Sequence, residues 1–197
     1  MMKQSLSICL FIMLFVPAAA LSGPLDQGSG YIGLQYGYLS HDQDKISGDS
    51  NPTALVAKLG YFVFNQIAVE ARYGFGLSDD SARWLEDDGT VTRGDLELDQ
   101  LFGAYLAGYL PLGEIGAAYG LIGISDVKTS FSFSGSPRSD SDSDSGFSFG
   151  FGANLYIPYF KNIHEDGHWS IGIEYMRYLS ESGYKLTSYG LGVAVHF

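Results

Sequence analysis

Apolar residues recur at every second position through eight stretches of this 197-residue chain, and no helical period competes with them after residue 22. In "YIGLQYGYL" (31–39), Ile32, Leu34, Tyr36 and Tyr38 share one face, against Gly33, Gln35 and Gly37. In 53–64, Leu55, Ala57, Leu59, Tyr61 and Val63 oppose Lys58 and Gly60; in 67–77, Ile67, Val69, Ala71, Tyr73 and Phe75 oppose Glu70, Arg72, Gly74 and Gly76. The pattern returns in 146–158, 169–179 and 185–197. Two stretches, 95–110 and 115–128, are apolar on both faces, and their sides stay unassigned. Strands in soluble sheets usually run about five or six residues. Segments of ten or more match instead the roughly 9 to 11 tilted residues that a strand needs to cross a bilayer.

Two kinds of eight-stranded barrel fit this count, and the faces separate them. A soluble, lipocalin-like barrel puts charge outside and grease inside. Here the apolar face is wide and aromatic, while Lys58, Glu70, Arg72 and Glu174 all fall on the glycine-bearing face. With 46% apolar and 15% aromatic residues, leaving those faces in water would expose far more than the few hundred Å² a soluble protein tolerates. Lipid outside resolves this, provided the sheet closes, because hydrocarbon offers no partner to an open edge. The expected fold is all-β: an eight-stranded antiparallel up-and-down transmembrane barrel. Long polar loops at 40–52, 78–94 and 129–145 alternate with tighter links at "NQ", "PLGE" and "YFKNIHEDGH". That asymmetry places the tighter links and both chain ends at the periplasmic side. Tyr31, Tyr61, Tyr109, Trp169 and Tyr175, near strand ends, are expected in the interfacial girdles.

The N-terminus carries Lys3, an apolar run from Leu6 to Val16, then Pro17 and small residues. This order predicts a cleaved signal peptide over 1–22, with the barrel domain over 23–197. Cys9 is the chain's single cysteine and lies within that leader, so a closed hydrogen-bond ladder, not a disulfide, must hold the exported part. With 11 Lys plus Arg against 22 Asp plus Glu, no nucleic-acid partner is expected.

The chain ends "SYGLGVAVHF", with Tyr189, Leu191, Val193, Val195 and Phe197 on one face. A terminal Phe behind alternating apolar residues resembles the outer-membrane assembly signal of Gram-negative bacteria. The resemblance implies recognition by the barrel-assembly machinery through this strand. More broadly, residues from about 30 to 197, with stretches such as "LDQLFGAYLAGYLPLG" and "IEYMRYL", resemble the small outer-membrane β-barrel family of the OmpA-barrel, OmpX and opacity-protein kind. That family implies a monomer in the outer membrane, in contact with membrane lipid and lipopolysaccharide.

An eight-stranded barrel leaves room inside for side chains only. Lys58, Glu70, Arg72 and Glu174 are therefore expected to form a lumen plug of ion pairs, with a gated ion or proton path as the alternative. "His168-Trp169-Ser170" has the His-x-Ser spacing of a lipid A deacylase, and Glu174 shares its face. It sits at the rim far from outer-leaflet lipid, however, and faces the lumen, so no enzyme activity is expected. "DSDSDSG" (140–146) spaces Asp140, Asp142 and Asp144 as a calcium loop does, but has Ser145 where the glycine belongs and Phe151 where the glutamate belongs. No cofactor, metal or catalytic residue is assigned. Loose divalent cations are expected near Asp42, Asp44, Asp49, Asp79, Asp80, Glu86, Asp87 and Asp88, where they could bridge to lipopolysaccharide phosphates. The function expected is structural or surface-exposed: envelope integrity, adhesion or recognition by loops. The alternative is a narrow porin or transporter for ions or small hydrophobic molecules, and a lipid A-modifying enzyme ranks below both.

Overall fold

The computed structural model describes residues 24–43, 52–78, 80–85, 91–133, 139–157, 168–181 and 184–197. The expected leader, and most of the acidic loop residues, lie outside them. The strands are β1 (Gly30–Gln43), β2 (Thr53–Phe64), β3 (Ile67–Ser78), β4 (Asp80–Leu85), β5 (Val91–Pro111), β6 (Gly116–Phe133), β7 (Ser139–Ile157), β8 (His168–Glu181) and β9 (Tyr184–His196). They hydrogen-bond in the order β3-β2-β1-β9-β8-β7-β6-β5-β4, and a further β3–β5 pairing closes the ring. β4 continues β3 past residue 79 and pairs with the outer part of β5, from Asp80↔Leu96 to Leu85↔Val91. The barrel therefore has eight staves, all antiparallel.

First and last strands meet along their whole length, from Tyr31↔His196 to Gln43↔Tyr184. Phe197 extends this seam, exchanging backbone hydrogen bonds with Gly30 at 2.7 and 2.9 Å. Closure of this kind leaves no open edge for hydrocarbon to strand. Among the described residues no helix is long and apolar enough to cross a membrane.

The alternation sorts as expected in β1, β2, β3, β7, β8 and β9. Ile32, Leu59, Phe147, Ile173 and Leu191 are more than half exposed on the outer wall, while Gln35, Glu70, Arg72, Glu174 and Ser188 are buried within. β5 and β6 acquire the sides that the sequence left open. Leu101, Tyr105, Ala107 and Tyr109 of β5 point inward, with Ala117, Tyr119, Leu121, Ser125 and Val127 of β6; Phe102, Leu106, Leu110, Ile122 and Ile124 face out. Both faces read as apolar because the inner one is itself filled by Leu, Tyr, Ala and Val; in β5 a register irregularity between Leu98 and Gln100 adds a change of parity. The bulge at Asp99 lets Leu98 and Leu101, three apart, both turn inward.

Two expectations need correction. The outer connections are shorter than the 40–52, 78–94 and 129–145 loops read from composition: strand pairing continues to Gln43, through Asp80–Leu85 and Val91, to Phe133 and from Ser139. β5 has 21 residues, which at about 3.3 Å each and a 40° tilt reach roughly 50 Å, beyond an apolar band of about 25 Å. The barrel wall projects past the membrane as polar ribbon. "DSDSDSG" belongs to that ribbon, with Asp140, Asp142 and Asp144 opposite Phe131, Thr129 and Val127 of β6. An extended strand spaces alternate residues almost 7 Å apart, roughly, and cannot wrap one cation as a calcium loop does. Second, Tyr31 and Tyr109 are not girdle residues. They are buried in the lumen, because Tyr31 has the parity of Gly33 and Gln35.

Candidate functional site

Strands β2, β3 and β8 bring the four predicted lumen charges together. Arg72 lies at the centre, and its guanidinium forks onto the Glu174 carboxylate, Nη1 to Oε1 and Nη2 to Oε2, both 2.7 Å. Its Nε donates to Glu70 Oε1 at 2.6 Å. Lys58 Nζ donates to Glu174 Oε2 at 2.8 Å. Two cations face two anions, so the cluster is neutral, as burial in a low-dielectric interior demands.

Uncharged side chains complete it. Tyr119 Oη donates to Glu174 Oε2 at 2.9 Å, and Gln35 Nε2 to Oε1 at 3.2 Å. Tyr31 Oη donates to Glu70 Oε2 and in turn accepts from Tyr109 Oη at 2.9 Å. The Tyr105 ring packs against the guanidinium, 4.9 Å from centroid to Cζ. Sequence reasoning did not include Gln35 or these tyrosines in the cluster. For Tyr31 and Gln35 the signal was available, since both share the parity of the polar face.

Inward glycines make room for the rings. A Cβ on Gly60 would run into the Tyr31 ring, and one on Gly152 would lie 2.6 Å from Tyr119 Oη. Glycine on one stave thus admits a large side chain from its neighbour, the small-beside-large filling of narrow barrels.

The lumen is stopped above and below the charges. Toward the outer end, Tyr105 Oη meets Ser125 Oγ at 2.5 Å, and Ser148 Oγ lies 2.7 Å from Ser125 Oγ and 2.6 Å from the Tyr178 carbonyl. Leu39, Leu101, Val127, Met176 and Leu186 are buried on the same side. At the inner end, residues 24–29 fold across the mouth. Gln66 N donates to the Leu25 carbonyl and Gly28 N to that of Phe62, and Leu25 joins the buried cluster that includes Tyr31, Phe62 and Tyr109. Among the described residues, a cavity of about 30 Å³ lies beside the charges, lined by Gln35, Lys58, Glu70, Asn154 and Ser170. That holds one or two waters, not a path.

Ser170 does not pair with His168. Its Oγ lies 3.0 Å from His196 Nε2, and both residues are buried. Glu174, the acid a triad would need, is committed to Arg72 and Lys58. Buried beneath Tyr31 and Tyr156, the Ser–His pair is closed to an acyl substrate.

The model of the outer membrane protein beta-barrel domain matches residues 6–197. The chain belongs to that family. It is an outer-membrane barrel, and its place is the outer membrane of a Gram-negative cell. Among solved structures it is similar to Ail, the attachment invasion locus protein of Yersinia pestis, solved with the heparin analogue sucrose octasulfate: 20% identity, 87% of this chain and 99% of that one covered, TM-score 0.54. Neisserial surface protein A (14%; 87% and 100%; TM-score 0.56) and OprG of Pseudomonas aeruginosa (14%; 89% and 99%; TM-score 0.56) are similar too. At these identities the likeness is one of fold. No curated protein sequence matches the chain.

Proposed function

We propose that this barrel is a non-conducting scaffold that holds a recognition surface outside the membrane, and that it carries no catalysis. The neutral Lys58–Glu70–Arg72–Glu174 plug, with a cavity of about 30 Å³ beside it and buried side chains on either side among the described residues, supports this reading. A conducting barrel needs a continuous wet lumen, which the wider porins have. Among the described residues no carboxylate is placed against the Ser170–His196 pair, and both residues are buried.

The recognition surface is the polar ribbon of β4–β7 and the connections above it. Its acidic bias, within a net charge of −11, favours a cationic partner or divalent ions bridging to lipopolysaccharide. The same bias opposes a sulfated saccharide such as the analogue bound to Ail. Tyr189, Leu191, Val193, Val195 and Phe197 serve as the strand that the barrel-assembly machinery reads, and the assembled protein is a monomer.

Planar-bilayer recording tests the central reading. A silent membrane is expected, and discrete single-channel openings from the wild-type protein would overturn it.

A further inference from the structure

A basic side chain stands on the lipid-facing wall with no anion among the described residues to meet it. In the register Phe149↔Arg177↔Thr187, Arg177 lies on the outer face of β8, with the parity of Ile171, Ile173 and Tyr175. Its Cζ sits 5.8 Å from the Phe149 ring centroid, and its Nε is buried without a hydrogen-bond partner. Among the described residues no carboxylate pairs with it, whereas Arg72 and Lys58 are both ion-paired.

Its height is set by the row beneath. Phe151, Tyr175, Tyr189 and Tyr38 are consecutive partners across β7, β8, β9 and β1. Ring centroids are 5.2 Å apart for Phe151–Tyr175 and 5.3 Å for Tyr175–Tyr189. A band of aromatic side chains on the outer wall marks the boundary between acyl chains and headgroups. Arg177 is one rung above that boundary, at the end opposite Phe197 and the two-residue β2–β3 link, hence in the outer leaflet. An unpaired cation is costly in hydrocarbon but not at a headgroup that brings a negative charge. A guanidinium also matches a phosphate as a two-pronged donor.

We propose that Arg177, backed by Phe149 and flanked by the Tyr175–Tyr189 row, is a binding site for a phosphate of lipid A, the phosphorylated glycolipid of the outer leaflet. The site rests on the barrel's orientation and is independent of whether the lumen conducts. Phe149 holds the guanidinium against the wall, so that the phosphate meets a positioned fork and the acyl chains lie along Ile173 and Leu191.

The test uses the full exported chain in detergent micelles, with native mass spectrometry counting bound lipid. Probes are bisphosphorylated lipid A, the same lipid dephosphorylated, and phosphatidylglycerol. Wild type should retain the bisphosphorylated form, and Arg177→Gln should weaken that binding about tenfold, with Arg177→Lys between them. A heat-dependent gel shift in each variant shows that the barrel has formed. Equal retention by wild type and Arg177→Gln would overturn the site. So would equal retention of phosphorylated and dephosphorylated lipid A, or of phosphatidylglycerol and lipid A.

Discussion

Arg72 of β3 and Glu174 of β8 meet across the lumen through two parallel hydrogen bonds of 2.7 Å, although 102 positions separate them in the chain. The pair can form only once the cylinder has closed, so it reports closure as well as stabilising it. Removing one partner strands the other in a dry interior. Glu174→Ala is expected to destabilise the refolded barrel by about 3–5 kcal/mol. The double change Arg72→Met with Glu174→Met, which leaves Lys58 and Glu70 in balance, should cost less than the single one. Urea midpoints in lipid vesicles give the comparison, and a double variant weaker than Glu174→Ala would contradict the assignment.

The glycines divide into two kinds by what surrounds them. Gly60 is filled over by the Tyr31 ring, whereas Gly108 has nothing within 4 Å of where a Cβ would stand. Gly60→Val should therefore displace Tyr31 and lose about 1–3 kcal/mol, while Gly108→Ala should leave the urea midpoint unchanged. Equal tolerance at both positions would mean that the lumen is looser than the packing shows.

Leu25 is buried at the inner mouth, in the same hydrophobic cluster as Tyr31, Phe62 and Tyr109. Leu25→Ala is expected to cost about 2 kcal/mol without opening a conductance, because the charged plug above it stays intact. Channel openings in this variant would place the seal at the mouth instead of at the ion pairs.

Phe197 lies beyond the last paired side chains and is half exposed, yet its backbone still bonds Gly30. A role in assembly predicts that Phe197→Ala lowers the amount of barrel inserted in cells severalfold. In vitro, the urea-refolded variant should keep its heat-dependent gel shift. If both fell together, the residue would act through stability alone.

Much of this architecture was legible because alternation is a property of single strands. Ile32 to Tyr38 or Leu55 to Val63 declare two faces without reference to any neighbour, and charge on one face then decides which side is wet. Three features escaped for physical reasons. The bulge at Asp99 shifts parity within β5, so a strict period of two fails there. A lumen tyrosine such as Tyr31 looks like a girdle residue in sequence, and Gly60 opposite it, on another stave, shows that it fits inside. The polar ribbon of 139–146 has loop composition, but its backbone is paired by β6. Composition there reports exposure to water, not the absence of a partner strand. The four charges could be named from parity alone, but their connectivity needed the register of β2, β3 and β8.

The account stands on which side of the wall meets lipid. Single cysteines placed in turn at 189 to 193, with Cys9 replaced, and labelled with a nitroxide, test it residue by residue along β9. Tyr189, Leu191 and Val193 positions should be relaxed by oxygen dissolved in the bilayer and shielded from a water-soluble nickel complex, with the two positions between them reached by neither. Strong relaxation by the nickel complex at 189, 191 and 193 would contradict it.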